Sequence, residues 1–104
     1  MEKDYVLQVA DTIKDQLVAV TPIGVIRSWH VEKFVAVEHK DMAALRFHVS
    51  GETFCGNVIV AHKGQDCYEV YLQNYSGTKR IKDKIYFMEL GKVIDRVVRH
   101  CPEK

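Results

Sequence analysis

Residues 42–50 read Met-Ala-Ala-Leu-Arg-Phe-His-Val-Ser, and from Leu45 onward the alternation is strict: Leu45, Phe47 and Val49 against Arg46, His48 and Ser50. Successive side chains of a strand point to opposite sides of a sheet, so this period of two predicts a half-buried strand with one dry and one wet face. The rest of the chain has to bury the dry side.

Upstream, Val6, Val9, Ala10, Ile13, Leu17 and Val20 recur at intervals of three and four, while Gln8, Asp11, Lys14 and Asp15 fall on the other side. That spacing predicts an amphipathic helix over residues 3–19. Pro22 forces Thr21 out of helical geometry and Gly24 follows, so the helix stops there. Residues 23–33 fit no single period and read as a connector with room for one helical turn. Residues 34–39 are a compact run with two β-branched side chains, and His39-Lys40-Asp41-Met42 is the turn of a hairpin into the strand above. Residues 57–62 form a nearly continuous apolar strand, and residues 67–75 alternate Tyr68, Val70 and Leu72 with Glu69, Tyr71 and Gln73. Ser50-Gly51-Glu52, Lys63-Gly64-Gln65-Asp66 and Ser76-Gly77 supply the turns. Residues 81–85 suit either a short fifth strand or an extended lead-in.

Phe87, Leu90, Ile94, Val97, Val98 and Cys101 mark a closing helix over residues 86–100, with Arg96, Arg99 and His100 at its negative end and Pro102 to stop it. Gly91 lies on its apolar side, where the missing side chain permits close approach to a neighbour. The expected fold is therefore α+β in the order αββββα, a single domain over residues 1–104. It is a four-stranded antiparallel meander with the N- and C-terminal helices packed on one face. Burying Leu45, Phe47, Val49, Val70 and Leu72 contributes roughly 1.5–3 kcal/mol each before chain entropy is set against it. Leu45→Ala and Phe47→Ala belong among the most damaging changes.

The second face of that sheet poses a separate problem. Two strands are apolar on both parities, and the fourth sets Cys67, Tyr71 and Tyr75 opposite its core positions. So much apolar surface is poorly left in water: either the connector with Trp29 covers it, or a second copy of the chain does.

Hydrophobic residues make up 47% of the 104 and charged ones 28%, a globular balance that argues against long disorder. The net charge of +1 is too near neutral to make the whole molecule a nucleic-acid or membrane binder. From Thr78 onward, eight Lys or Arg stand against four Asp or Glu, but on the closing helix they interleave as on a solvated face. Glu2, Asp4, Asp11 and Asp15 are unlike a signal peptide, and no apolar run approaches the ~20 residues of a membrane span. Cys55, Cys67 and Cys101 are odd in number and widely spaced, as expected of reduced thiols in the cytoplasm.

Chemistry is hard to find. There is no Cys-x-x-Cys and no His-x-x-x-His; His30, His39, His48, His62 and His100 are scattered over different elements, and His48 and His62 are the pair that could approach across neighbouring strands. We expect no metal site and no cofactor. A catalytic thiol needs an exposed pocket beside a base: Cys55, before Gly56, is open to exposure, whereas Cys101 sits on the apolar stripe of the last helix and Cys67 at a strand start. Ser50-Gly51 and Ser76-Gly77 are turns, and Glu38, Glu52, Asp66 and Glu69 read as turn or surface acids. Lys79, Arg80, Lys82 and Lys84 beside Tyr75 and Tyr86 combine cations with stacking rings, the make-up of a nucleic-acid contact. Trp29, flanked by Arg27, His30 and Lys33, is either a plug over the core or, if exposed, an anchor for a partner.

The pieces Ser28-Trp29-His30-Val31-Glu32-Lys33-Phe34, Leu45-Arg46-Phe47, Asp66-Cys67-Tyr68-Glu69-Val70 and Ile85-Tyr86-Phe87-Met88-Glu89-Leu90 through Val93-Ile94-Asp95-Arg96 span most of the chain. Their layout resembles that of small uncharacterised proteins of bacterial genomes and prophage-like elements, with Met88 where such proteins would carry an acid. The resemblance implies the αββββα order and a bacterial cytoplasmic setting, and brings no ligand. The functional expectation is a non-enzymatic protein-interaction module that self-associates as a homodimer, with contacts through Trp29, Arg27, His30 and Tyr71 and no membrane partner. The alternative is a nucleic-acid accessory protein working through Lys79, Arg80, Lys82 and Lys84.

Overall fold

The computed structural model describes residues 2–51, 54–64 and 67–99, with side chains for all of these but Lys82, Asp83 and Arg99. In chain order the elements are α1 (Lys3–Val20), α2 (Ile23–Ser28), β1 (Glu32–His39), β2 (Met42–Ser50), β3 (Cys55–Gly64), β4 (Cys67–Asn74), β5 (Gly77–Tyr86) and α3 (Leu90–Arg99). A 3-10 turn at Phe87–Glu89 leads into α3. Each strand pairs antiparallel with its sequence neighbour, so the sheet order is β1-β2-β3-β4-β5.

The α+β class, the meander and the terminal helices match the expectation, but the sheet has five strands rather than four. Residues 81–85 lie inside β5, and the connector holds the short helix α2. β5 escapes a reading by period because Lys79, Arg80, Lys82, Asp83 and Lys84 dominate it, and two register shifts against β4 break its alternation. Charges and bulges of this kind are how an edge strand avoids further pairing, so tertiary position set its composition. The expected helix end at His100, the place of Cys101, the stop at Pro102 and the turns at Glu52 and Gln65-Asp66 lie outside the described residues.

Both long helices cover one face. Ala10, Ile13 and Leu17 of α1 and Leu90, Ile94 and Val98 of α3 share a core with Leu45, Phe47 and Val49 of β2, Val58 and Val60 of β3, Tyr68 and Val70 of β4 and Ile85 of β5. Gly91 does what its position suggests: a Cβ there would stand 2.3 Å from Thr21 Oγ1, so only a bare backbone lets α3 seat against the end of α1. At the other end of α3, a Cβ on Gly51 would stand 2.5 Å from the Val98 carbonyl. That carbonyl accepts a hydrogen bond from the Phe54 N–H at 3.3 Å, so the β2–β3 connection caps the helix.

The β1–β2 hairpin turns through Lys40 and Asp41, both left-handed with φ of 49° and 65°. Two central residues at positive φ make a type I′ turn, which favours Asn-Gly over Lys-Asp. Asp41→Gly is therefore expected to raise stability by about 1 kcal/mol, read as a higher urea midpoint at unchanged slope. A lower midpoint would contradict the turn assignment.

Candidate functional site

Trp29 is a core residue. It is 0% exposed, its indole N–H donates to Asp95 Oδ1 of α3 at 2.9 Å, and its carbonyl accepts from the Ser50 N–H at 2.8 Å. The expectation of Trp29 as a partner anchor is corrected: α2 ends by directing the ring inward, where Val25 and Ile26 also pack. Arg27 and His30 remain exposed on either side of it, without the aromatic anchor that would have joined them.

Trp29 and its connector thus serve the helix side, and among the described residues no helix or connector lies over the second sheet face. Register lays the side chains of that face in rows across the strands. One row runs Glu32, His48, Asn57, Gln73, Thr78; the next runs Val35, Arg46, Ile59, Tyr71, Arg80; a third runs Val37, Ala44, Ala61, Glu69. The first row is polar from edge to edge. Asn57 Nδ2 donates to Gln73 Oε1 at 3.1 Å and Gln73 Nε2 donates to Thr78 Oγ1 at 3.4 Å. Two grooves share His48 and Asn57: one of about 540 Å³ reaching Cys55, Asn74 and the fully exposed Tyr75, the other of about 250 Å³ reaching Glu32, Val35 and Arg46.

The middle of the face is small and apolar. Ala44, Ile59, Ala61 and Tyr71 form a cluster with Val37 and Met42, shielded within one copy by neighbours on the same face. Tyr71 does lie on the second face as expected, but it is buried there, with His39 edge-on at 4.3 Å and the Lys40 ammonium over its ring at 5.3 Å. Its hydroxyl donates to Glu69 at 2.5 Å.

Glu69 is the residue that sequence reasoning misplaced. Expected as a surface acid, it is 4% exposed, with Lys63 at 3.0 Å and Arg80 at 3.7 Å. Its parity in β4 was legible, but the cations that make its burial tolerable come from β3 and β5. The Tyr71 hydrogen bond, followed by Lys63 and Arg80, holds the Glu69 carboxyl below its ordinary range against the opposing effect of burial. Burial, then the Glu69 bond, pushes the Tyr71 hydroxyl up. Burial and Lys40 together hold His39 below its ordinary 6.5 against the pull of Glu69.

The sign of the resulting pH dependence follows. A depressed His39 leaves the folded state binding fewer protons than the unfolded chain just below pH 6.5, so stability falls as pH drops through that value. Glu69 adds stability above its unfolded value of 4.5, and this is lost as pH falls through the lower folded value. We expect urea midpoints to decline in two stages on acidification, with His39→Gln removing the first. Unchanged midpoints across the first window would contradict this.

The four cations of the alternative reading are not brought to one surface. Arg80 pairs with Tyr71 in register on the open face and bonds Glu69, whereas Lys79 pairs with Leu72 on the helix side. Lys84 is exposed, and the Lys82 side chain lies outside the described part. His48 faces the open side, but His62 stacks on Tyr68, whose hydroxyl bonds Gln16 of α1, so the two imidazoles lie on opposite faces. Among the described residues no three of His, Cys, Asp and Glu converge as a metal site, and no helix is long and apolar enough to cross a membrane. Cys55 and Cys67 are free thiols. Compared with protein-family models, curated proteins and solved structures, the chain matches none.

Proposed function

We propose that the protein is a non-enzymatic interaction module that self-associates through the uncovered sheet face. The observation that carries this reading is the all-polar row Glu32, His48, Asn57, Gln73, Thr78 beside a small apolar centre, on a face over which the described residues lay no helix or connector. A two-fold axis along β3 stacks one such row on another. Glu32 then meets Thr78 of the second copy, His48 meets Gln73, and Asn57 meets Asn57, with no like charges opposed in the row.

Size sets the strength. Five strands about 4.8 Å apart and roughly 26 Å long present roughly 500 Å² per copy, or about 1,000 Å² for the pair, the lower limit for a specific interface. The dimer is therefore expected to dissociate in the micromolar range. Sedimentation velocity across that range tests it. Because Asn57 sits on the axis, Asn57→Asp opposes two carboxylates and is expected to give a monomer that melts near wild type. A wild-type chain monomeric at every concentration, or a dimer indifferent to Asn57→Asp, overturns the reading.

A further inference from the structure

On the opposite side of the molecule, the apolar surface of α3 extends beyond its fully buried stripe. Leu90, Ile94 and Val98 are fully buried, yet Val93 and Val97 form a second stripe that is only half-buried. With Ile81 of β5 they floor a groove of about 380 Å³ between the helix and the sheet edge, rimmed by Glu89, Lys92 and Arg96. Among the described residues no carboxylate pairs with Lys92 or Arg96, so the rim carries two unpaired cations against one acid.

We propose that this groove docks an extended acidic segment of a partner protein, with apolar residues at alternate positions. The apolar side chains enter between Ile81, Val93 and Val97, and the alternate carboxylates meet Lys92 and Arg96. The chemistry favours a peptide over a nucleic acid. The floor is aliphatic and holds no ring on which a base stacks, so a phosphate chain would leave it empty.

Fluorescence polarisation of labelled hexapeptides on the full chain tests this. A peptide alternating Glu and Leu is expected to bind roughly tenfold more tightly than one alternating Glu and Ser or one alternating Lys and Leu. The double variant Lys92→Glu with Arg96→Glu, both exposed and away from the core, is expected to weaken it by about the same factor and to reverse the preference toward Lys-Leu. Equal binding of the Glu-Ser peptide, or indifference to the double variant, overturns the site. Tighter binding of a single-stranded oligonucleotide that the same variant abolishes overturns the class of partner. The Asn57→Asp chain is expected to bind Glu-Leu as wild type does, which keeps this test separate from the state of the open face.

Discussion

Replacing Trp29 with Ala is expected to lower the unfolding free energy by about 3–5 kcal/mol, the range for removing a fully enclosed large aromatic side chain. A domain of this size has only about 5–15 kcal/mol to lose, so the variant should be close to unfolded at body temperature. Trp29 joins three parts of the chain. It ends α2, accepts from Ser50 at the end of β2, and donates to Asp95 on α3. Trp29→Phe keeps most of the packing and removes the indole donor, and should cost about 1–2 kcal/mol. Urea denaturation followed by circular dichroism reads both. A Trp29→Ala loss below that of Trp29→Phe would mean the ring is not enclosed as described.

The second large effect is at Phe47. Its ring is fully buried and packs against Phe34 at a centroid distance of 5.4 Å, with the Lys14 ammonium of α1 over Phe34. Phe47→Ala is expected to cost about 3–5 kcal/mol. Its chain neighbour Arg46 points to the opposite side of the sheet, and Arg46→Ala, measured at submicromolar concentration, is expected to change stability by no more than about 1 kcal/mol. The contrast between adjacent residues is the test, because it depends on which side of β2 the helices occupy. Comparable losses at the two positions would contradict the layer arrangement.

How much of this was legible in advance varies with the residue. Leu45, Phe47 and Val49 announced their face by parity, and the stripe Ala10, Ile13, Leu17 announced the face of α1. Gly91 was legible too, because a residue without a side chain on an apolar helix face has few other uses. β5 was not, since an edge strand carrying bulges and five charged residues has no period to detect. The fate of Trp29 was open for another reason. An apolar ring in an irregular stretch is compatible with either side of the chain, and the choice depends on Asp95, 66 residues away. Glu69 shows the same limit. Nothing within β4 signals that Lys63 and Arg80 converge on it from the two flanking strands.

By itself, the order of residues determined α1, β1 to β4 and the closing helix, their dry and wet sides and the antiparallel order of β1 to β4, because those properties depend on spacings of two to four residues and on short turns. Tertiary structure alone decided that Trp29 serves the helix side, that Glu69 is buried between cations, and that five polar side chains from five strands line up in one row on the face away from the helices. Each of those outcomes is a meeting of groups distant in the chain, and local periodicity says which way a side chain points without saying what it will meet.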